Sequence, residues 1–516
     1  MSAAPSAPAS STEAPFRRVA GRLAGLIPPD SRAVFELCRP GESVALLVRR
    51  RNPAIRFAVL PLPEDRPLAE PSALLGPAQP QFDCLVLHEV FLALPAPFAA
   101  VGALVPYLKP GASVLFVLPR SACERLRADK AGLPLMDALQ AALAGSGLLV
   151  AQGFMVSSGG ADGFSHLIVQ ATRMEGFRRL LLNAMTLRPA GGCNDTRIDL
   201  PNAFLATVPG VRTQSSVEHI RSLESLPGER RIVLLQRRIY GPRDVPALKA
   251  ALRQGYLLIS EFDDHPSHWP AMTEFGHLTF RGVHAVQTST EVLAEELRPF
   301  NPELAVFPNQ ISALPPARPP RPNGRTTLFF GAFNRGSDWH ALMEPLNRLL
   351  AEHRGWIDVQ VVHDRAFFDA LATDDKSFTP TCGYDGYIEI LRRCDIGLLP
   401  LNDTLFNRCK SDLKFIECAA HGVVALASPT VYSGSVEDGV TGVLFRTPQE
   451  FHDRLNQLVV DPSARSGIAD RAYGYVLGHR LLAQHFRKRL SWYESLLDRK
   501  AELDARLFER VPELRP

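Results

Sequence analysis

Short apolar runs separated by amphipathic stretches dominate this chain, and they fall into three blocks. In the first block, runs at 33–37, 43–47, 55–60, 84–87, 113–118, 148–156 and 166–171 have the composition of buried strands, with helical periodicity in several of the intervals. Strands alternating with helices predict a parallel, doubly wound sheet over 16–173. A further stretch, 174–187, predicts a helical connector. The second block, 188–311, predicts strands at 230–238, 256–266, 284–290 and 304–310, a helix over 245–254 and another opening at Thr290. A proline-rich segment, SALPPARPPRPNGR at 312–325, predicts an extended, semi-rigid linker. The third block, 326–480, repeats the alternation with strands at 326–330, 357–362, 394–399 and 423–427 and a helix at 385–393. From 449 to 516 the pattern is helical, and 481–516 reads as C-terminal helices. The expected fold class is α/β, with three Rossmann-like doubly wound domains.

Composition narrows the function classes. At 516 residues the chain has room for three domains of about 150 each. Hydrophobic residues at 46% and charged residues at 22% are a globular balance, and a net charge of +3 gives no global drive towards nucleic acid. The eight cysteines form no CxxC pair and read as reduced core residues of a cytoplasmic protein. No apolar run reaches the ~20 residues that span a bilayer. The first 15 residues, rich in Ala, Pro and Ser, predict a disordered tail without the pattern of a secretory signal. Basic pairs at 178–179 and 487–489 suit peripheral contact with an anionic membrane surface, or simply solvated helix faces.

The densest chemistry lies in FNRCKSDLKFIECAAHGVVALASPTVYSGSVEDGVTG, residues 406–442. Lys410 and Lys414 are spaced one helical turn apart, Glu417 follows three residues later, and Gly422 ends the predicted helix before an apolar strand. A helix opening with lysines suits an anion, because its free N–H groups and dipole attract phosphate. Glu417 shares a face with Lys414 and can accept hydrogen bonds from ribose hydroxyls. This is the layout of a nucleoside-diphosphate site. A second signal is EFDDHP at 261–266, an acidic cluster just past the end of a buried strand, the edge where open α/β sheets bind ligands. Asp263 or Asp264 there can orient an acceptor hydroxyl or hold a divalent ion; the structural alternative is a cap for the following helix. Gly191-Gly192 can form a loop that admits a ligand to the backbone, with Arg197 reaching a phosphate; an ordinary turn is the alternative.

The 406–442 segment resembles the donor-binding region of GT-B glycosyltransferases of the family 4 (group 1) type, in which K-x-x-E-x-x-A-x-G is followed by a strand and a D-G-x-T-G turn. The resemblance covers the last 190 residues well and some 320 more loosely. It implies that blocks two and three form a GT-B pair, with the acceptor half at 188–311 and the donor half at 326–480, and that a C-terminal helix at 481–499 crosses back onto the acceptor half. It implies donor-diphosphate contacts from Lys410, Lys414 and Arg335, ribose contact from Glu417, and a nucleobase near Cys382 to Tyr384. Lys414, Asp263 and Asp264 are the catalytic candidates. The donor is then a nucleotide-diphosphate sugar, with no obligatory cofactor, no metal and no nucleic-acid partner. The acceptor is a glycan, a lipid-linked glycan or a protein, the outcome is retention, and the place is the cytoplasm, including the inner face of the membrane. One position departs: many members carry a second glutamate where this chain has Cys409.

The first block resembles the later half of a class I S-adenosylmethionine methyltransferase, through FDCLVLHEVFLALPAP and the turn Leu108-Lys109-Pro110-Gly111-Ala112. The cofactor loop is not matched: Cys38 and Arg39 stand where glycine and small residues belong, only Gly41 remains, and the acidic Glu64 comes too late. This predicts a non-catalytic domain that does not bind S-adenosylmethionine and serves as a partner or acceptor module. His88 and Glu89 are read as polar caps at a strand end. The alternatives to a glycosyltransferase are a bifunctional methyltransferase–glycosyltransferase and a non-catalytic scaffold.

Overall fold

The computed structural model describes residues 13–62, 75, 79–94, 96–130, 133–157, 163–173, 175–188, 192–318, 324–332 and 335–516. Residues 1–12 of the predicted tail, Glu64, Gly191, Asn334 and part of the proline-rich linker lie outside the described residues, while 13–15, predicted as tail, open the helix Glu13–Leu26. The strands form three six-stranded sheets, as the α/β reading requires. The chain divides into two compact units, one of residues up to Leu180 with 203–212 and 226–229, the other of the remaining residues to Pro516.

The first sheet comprises β1 (Ala33–Cys38), β2 (Arg56–Pro61), β3 (Phe82–Leu87), β4 (Leu108–Pro119), β5 (Leu148–Ser157) and β6 (Phe164–Arg173), in the order β2-β1-β3-β4-β6-β5. Period-two alternation sends Val34, Val86 and Leu115 to one face and Phe35, Leu85 and Leu87 to the other, each with its own core. The expectation of a wholly parallel sheet needs correction, because β6 runs antiparallel to both β4 and β5. Only six residues separate β5 from β6, too few for the crossover that a parallel pair demands. The 43–47 run is also corrected: Ala45–Arg49 is a short helix. Val44 and Val48, one turn apart, are buried while Leu46 is 77% exposed, which is helical rather than alternating burial.

The loop after β1 closes on itself. The Glu36 carboxylate accepts from Ser43 Oγ at 2.6 Å and the Val44 N–H at 2.8 Å, and pairs with His88 Nε2 at 2.9 Å. Glu89 pairs with Arg39 at 3.1 Å and faces His166 at 3.5 Å. His88 and Glu89 thus link strand ends to one another.

The second sheet comprises β7 (Arg179–Thr186), β8 (Val211–Val217), β9 (Glu229–Gln236), β10 (Leu257–Glu261), β11 (Ala285–Thr288) and β12 (Leu304–Val306), in the order β12-β11-β10-β9-β7-β8. The predicted helical connector at 174–187 is replaced by β7. From Leu180 onward every β7 residue is buried, as in an interior strand covered on both faces, and such an unbroken run carries no alternation to tell it from a helix. The third sheet is wholly parallel: β13 (Thr326–Gly331), β14 (Ile357–Val362), β15 (Lys376–Thr379), β16 (Ile396–Leu399), β17 (Val424–Ala427) and β18 (Val443–Leu444), ordered β15-β14-β13-β16-β17-β18.

After the helix Pro462–His479 the chain meets the linker again. The Ile311 N–H donates to the Arg480 carbonyl and the Leu482 N–H to the Ile311 carbonyl. The helix Leu482–Asp498 then runs along the second sheet, where the Tyr493 hydroxyl donates to Gln287 on β11 at 2.7 Å. Leu507, Val511 and Leu514 complete that sheet's core.

Candidate active site

A cavity of about 250 Å³ lies within the second unit, between the C-terminal ends of β9 and β10 on one side and those of β13 and β16 on the other. Both walls are strand ends of parallel sheets, the place where α/β folds bind ligands. Arg237, Asp263 and Asp264 come from the second sheet; Arg335, Tyr384, Tyr387, Lys410, Lys414 and Glu417 come from the third.

The donor motif folds differently from a single helix opening with lysines. The helix is Leu413–Ala420, and Lys410 stands in the turn between it and the short helix Leu405–Arg408. This turn frees Lys410 to reach across to the second sheet, where its Nζ donates to Asp264 Oδ1 at 2.5 Å. Lys414, on the helix, donates to the Gly331 carbonyl at the end of β13 and to the Tyr387 hydroxyl at 3.3 Å. Burial lowers the pKa of both lysines; for Lys410 the Asp264 charge opposes this, and for Lys414 the Glu417 charge does.

Glu417 is 3% exposed. Burial raises its carboxyl to about 7 against the opposing pull of Lys414 and the hydrogen bonds from the Tyr384 and Tyr387 hydroxyls. Tyr387 therefore relays between the two charged groups, accepting from Lys414 and donating to Glu417. Two phenol hydroxyls occupy the carboxylate, the same donor type that a ribose diol presents.

Arg335 donates to Asn407 Oδ1 at 2.9 Å and to Asp338 at 3.3 Å. Asn407 is itself fixed, donating to Asp338 at 2.9 Å and to the Asn402 carbonyl at 3.0 Å. The guanidinium is thereby aimed at the cavity. Arg408 turns to solvent and pairs with Asp403.

On the opposite wall, Arg237 binds both acidic residues, Asp263 through Nε and Asp264 through Nη2 at 2.9 Å. Burial alone would raise the Asp263 carboxyl, but Arg237, with Arg197 and Lys410, holds it below the usual carboxylate range. Arg237 has φ of +47°, a left-handed conformation that costs a non-glycine residue about 1–2 kcal/mol. Such strain at a site edge marks a functional constraint. Sequence reasoning missed Arg237, although it stands one residue past β9, at the ligand-binding edge. It also missed Tyr387, whose aromatic character reads as core.

Two candidates, Arg197 and Cys382, need correction. Arg197 does not reach the cavity: it is 1% exposed and donates to Glu261 at 2.7 Å, the Phe307 carbonyl at 2.7 Å and Asn309 at 2.9 Å. It lies in the π-helical turn Asp195–Asp199, and the Glu261 charge compensates its burial. Cys382 is half-buried but absent from the cavity wall, and burial raises its thiol. Cys409 faces the core of the second sheet, where burial pushes its thiol to about 11, so it is neither a sugar contact nor a nucleophile. Gly191 lies outside the described residues, but Gly192 lines the cavity against Tyr384. A Cβ at Gly192 would sit 2.3 Å from a Tyr384 ring carbon, so only glycine permits this approach. The D-G-x-T-G turn lies outside the wall; Asp438 accepts from the Leu444 N–H and anchors β18.

A family model described as glycosyl transferase-like matches residues 340–491, the segment that supplies Lys410, Lys414, Glu417 and both tyrosines. No curated protein sequence matches the chain. Among solved structures, a glycosyltransferase from Rickettsia africae is 13% identical over 62% of this chain and 99% of its own, with a TM-score of 0.45. The Anabaena protein HepE, solved in complex with UDP and glucose, is 13% identical over 62% of this chain and 100% of its own, with a TM-score of 0.43. TarM is 12% identical with a TM-score of 0.40, and the chain spans 54% of its length.

Proposed function

We propose that this protein is a glycosyltransferase that moves a sugar from a nucleoside-diphosphate sugar to an acceptor hydroxyl. The observation that supports it most is the convergence on one cavity of Lys410, Lys414 and Arg335 with a buried carboxylate, Glu417, beside the hydroxyls of Tyr384 and Tyr387. In this reading the diphosphate lies against the two lysines, Arg335 and the N-terminus of the helix Leu413–Ala420. The ribose diol takes the place of the tyrosine hydroxyls on Glu417, and Tyr384 flanks the base.

The bond from the anomeric carbon to the diphosphate oxygen breaks, and its electron pair leaves with the diphosphate. Lys410, Lys414 and Arg335 stabilise that developing charge in a water-poor site. The acceptor oxygen bonds to the anomeric carbon, and its proton passes to Asp264, which Arg237 and Lys410 hold in place. Retention follows from the resemblance of the donor segment, with a glycan, lipid-linked or protein hydroxyl as acceptor. We read the first domain as a partner or acceptor module without methyl transfer, because the loop after β1 is closed by the bonds of Glu36 to Ser43, Val44 and His88. Among the described residues no helix is long and apolar enough to cross a membrane.

The test is a thermal-shift and calorimetry screen with UDP, GDP, ADP, CMP and S-adenosylmethionine, on the wild type, Lys414→Ala and Glu417→Ala. Stabilisation by one nucleoside diphosphate, lost in both variants, is the expected result. Absence of any diphosphate binding would sink the donor site, and binding of S-adenosylmethionine would overturn the reading of the first domain.

A further inference from the structure

A second, larger cavity of about 680 Å³ lies in the same unit, walled by residues 289–291 and 306–310 after β11 and β12, by 431–435, and by the first half of the helix Leu482–Asp498. Its charges are unbalanced. Arg480 is saturated, pairing with Asp412 at 2.8 Å and donating to the Asn309 carbonyl at 3.0 Å. Arg489 is not: it is 5% exposed, yet its contacts are the Arg197 carbonyl at 3.4 Å, the Tyr493 hydroxyl and the face of Phe307. Burial lowers its pKa and the neighbouring Arg197 charge adds to the effect, against the opposing pull of Tyr493 and Glu261. Among the described residues no carboxylate pairs with Arg489 or with the adjacent Lys488, which opens into the same space. The carboxylate whose charge reaches Arg489, Glu261, is already paired with Arg197, so the buried guanidinium has no hydrogen-bonded counter-ion of its own, and an oxyanion is the group that completes it.

The position of this cavity matters as much as its charge. Lys410 lines it and the donor cavity alike, and its Nζ donates to Asp264 on the wall of the donor cavity. An anion held by Lys488 and Arg489 would therefore place the rest of its molecule beside the carboxylate assigned to receive the acceptor proton. We propose that this second cavity binds the phosphate group of the acceptor substrate, with Lys488 and Arg489 as its ligands. The assignment of the phosphate to an acceptor rests on the glycosyltransferase reading. The phosphate belongs either to a lipid headgroup or to a soluble phosphorylated saccharide, and the chemistry recognised is the same.

The full-length protein is titrated calorimetrically with inorganic phosphate and, separately, with the nucleoside diphosphate that stabilises it. Wild type, Lys488→Gln and Lys414→Ala are compared, with melting temperature as the check on folding. In Lys488→Gln, phosphate affinity is expected to fall about ten-fold, as for loss of one charge-assisted contact, while nucleotide affinity stays. Lys414→Ala is expected to show the converse. Phosphate binding that is absent in the wild type, or equal in Lys488→Gln, overturns the proposal. Phosphate binding that depends on Lys488 in a protein that binds no nucleotide supports the anion site and removes the transferase reading. Flotation with phosphatidylglycerol but not phosphatidylcholine vesicles, lost in Lys488→Gln, supports the lipid source. Phosphate binding without flotation supports the soluble one.

Discussion

Replacing Glu417 by glutamine should stabilise the protein at alkaline pH and weaken its ligand binding, two effects of opposite sign from one atom change. Burial moves the Glu417 carboxyl from 4.5 to about 7. That makes the buried ionised form less stable by about 3 kcal/mol relative to the protonated one. The folded state binds this proton more tightly than the unfolded state, so the associated stability is fully present below pH 4.5 and is lost as pH rises through about 7. Glutamine has no such titration. Near pH 8 the Glu417→Gln protein should therefore exceed the wild type by roughly 2 kcal/mol, after about 1 kcal/mol is subtracted for poorer acceptance from the two tyrosines. Near pH 5 the two should agree within about 1 kcal/mol. Urea unfolding across this range, read by amide exchange over residues 413–420, confines the measurement to this helix. The amide donor–acceptor mixture suits a diol less well than a carboxylate, so nucleoside-diphosphate affinity should fall about ten-fold or more. Parallel pH slopes in the two proteins would refute the burial argument, and unchanged nucleotide affinity would refute the ribose role.

Other perturbations test other parts. Lys410→Met removes a diphosphate ligand and a partner of Asp264, and kcat/KM should fall about 100-fold, an oxyanion-type loss. Gly192→Ala forces a methyl to within 2.3 Å of Tyr384, and should cost about 1–3 kcal/mol of stability along with nucleotide affinity, measured by denaturation and calorimetry. Arg197→Met leaves Glu261 buried without its partner and should cost about 3–5 kcal/mol, whereas Arg197→Met with Glu261→Leu should recover much of that; a single variant as stable as the wild type refutes the buried pair. Cys409→Ala should keep full activity and lose only about 1 kcal/mol of stability, as a small core truncation does.

Much of this architecture was legible because buried parallel strands write themselves as compact apolar runs. β10, β14 and β16 fall within predicted segments, and β9 and β13 overrun theirs by one residue. The same signal failed at β7, where seven successive buried residues, Asn183 and Thr186 among them, carry no period to separate strand from helix. It failed at 43–47 because Val44 and Val48 fit a helix and the intervening leucines hid the spacing. At the site, Asp263 and Asp264 were found by charge at a strand end, Lys410, Lys414 and Glu417 by helical spacing, and Arg335 through the family resemblance, and all line one cavity. Arg197 was misplaced because the pattern cannot distinguish an arginine facing a ligand from one facing a buried glutamate. Arg237 was overlooked among four arginines flanking one strand, and only its backbone conformation and its grip on two aspartates single it out.

The return of the last helices to the second sheet has a consequence for how the protein is made. Val306 ends that sheet's last strand, and Leu507, which completes its core, lies 201 positions later. During synthesis the second sheet must wait, with part of its core open, while the third sheet and its helices emerge and fold. A chain ending before residue 500 would then be expected to damage the sheet made first, and a chaperone would find its client surface there.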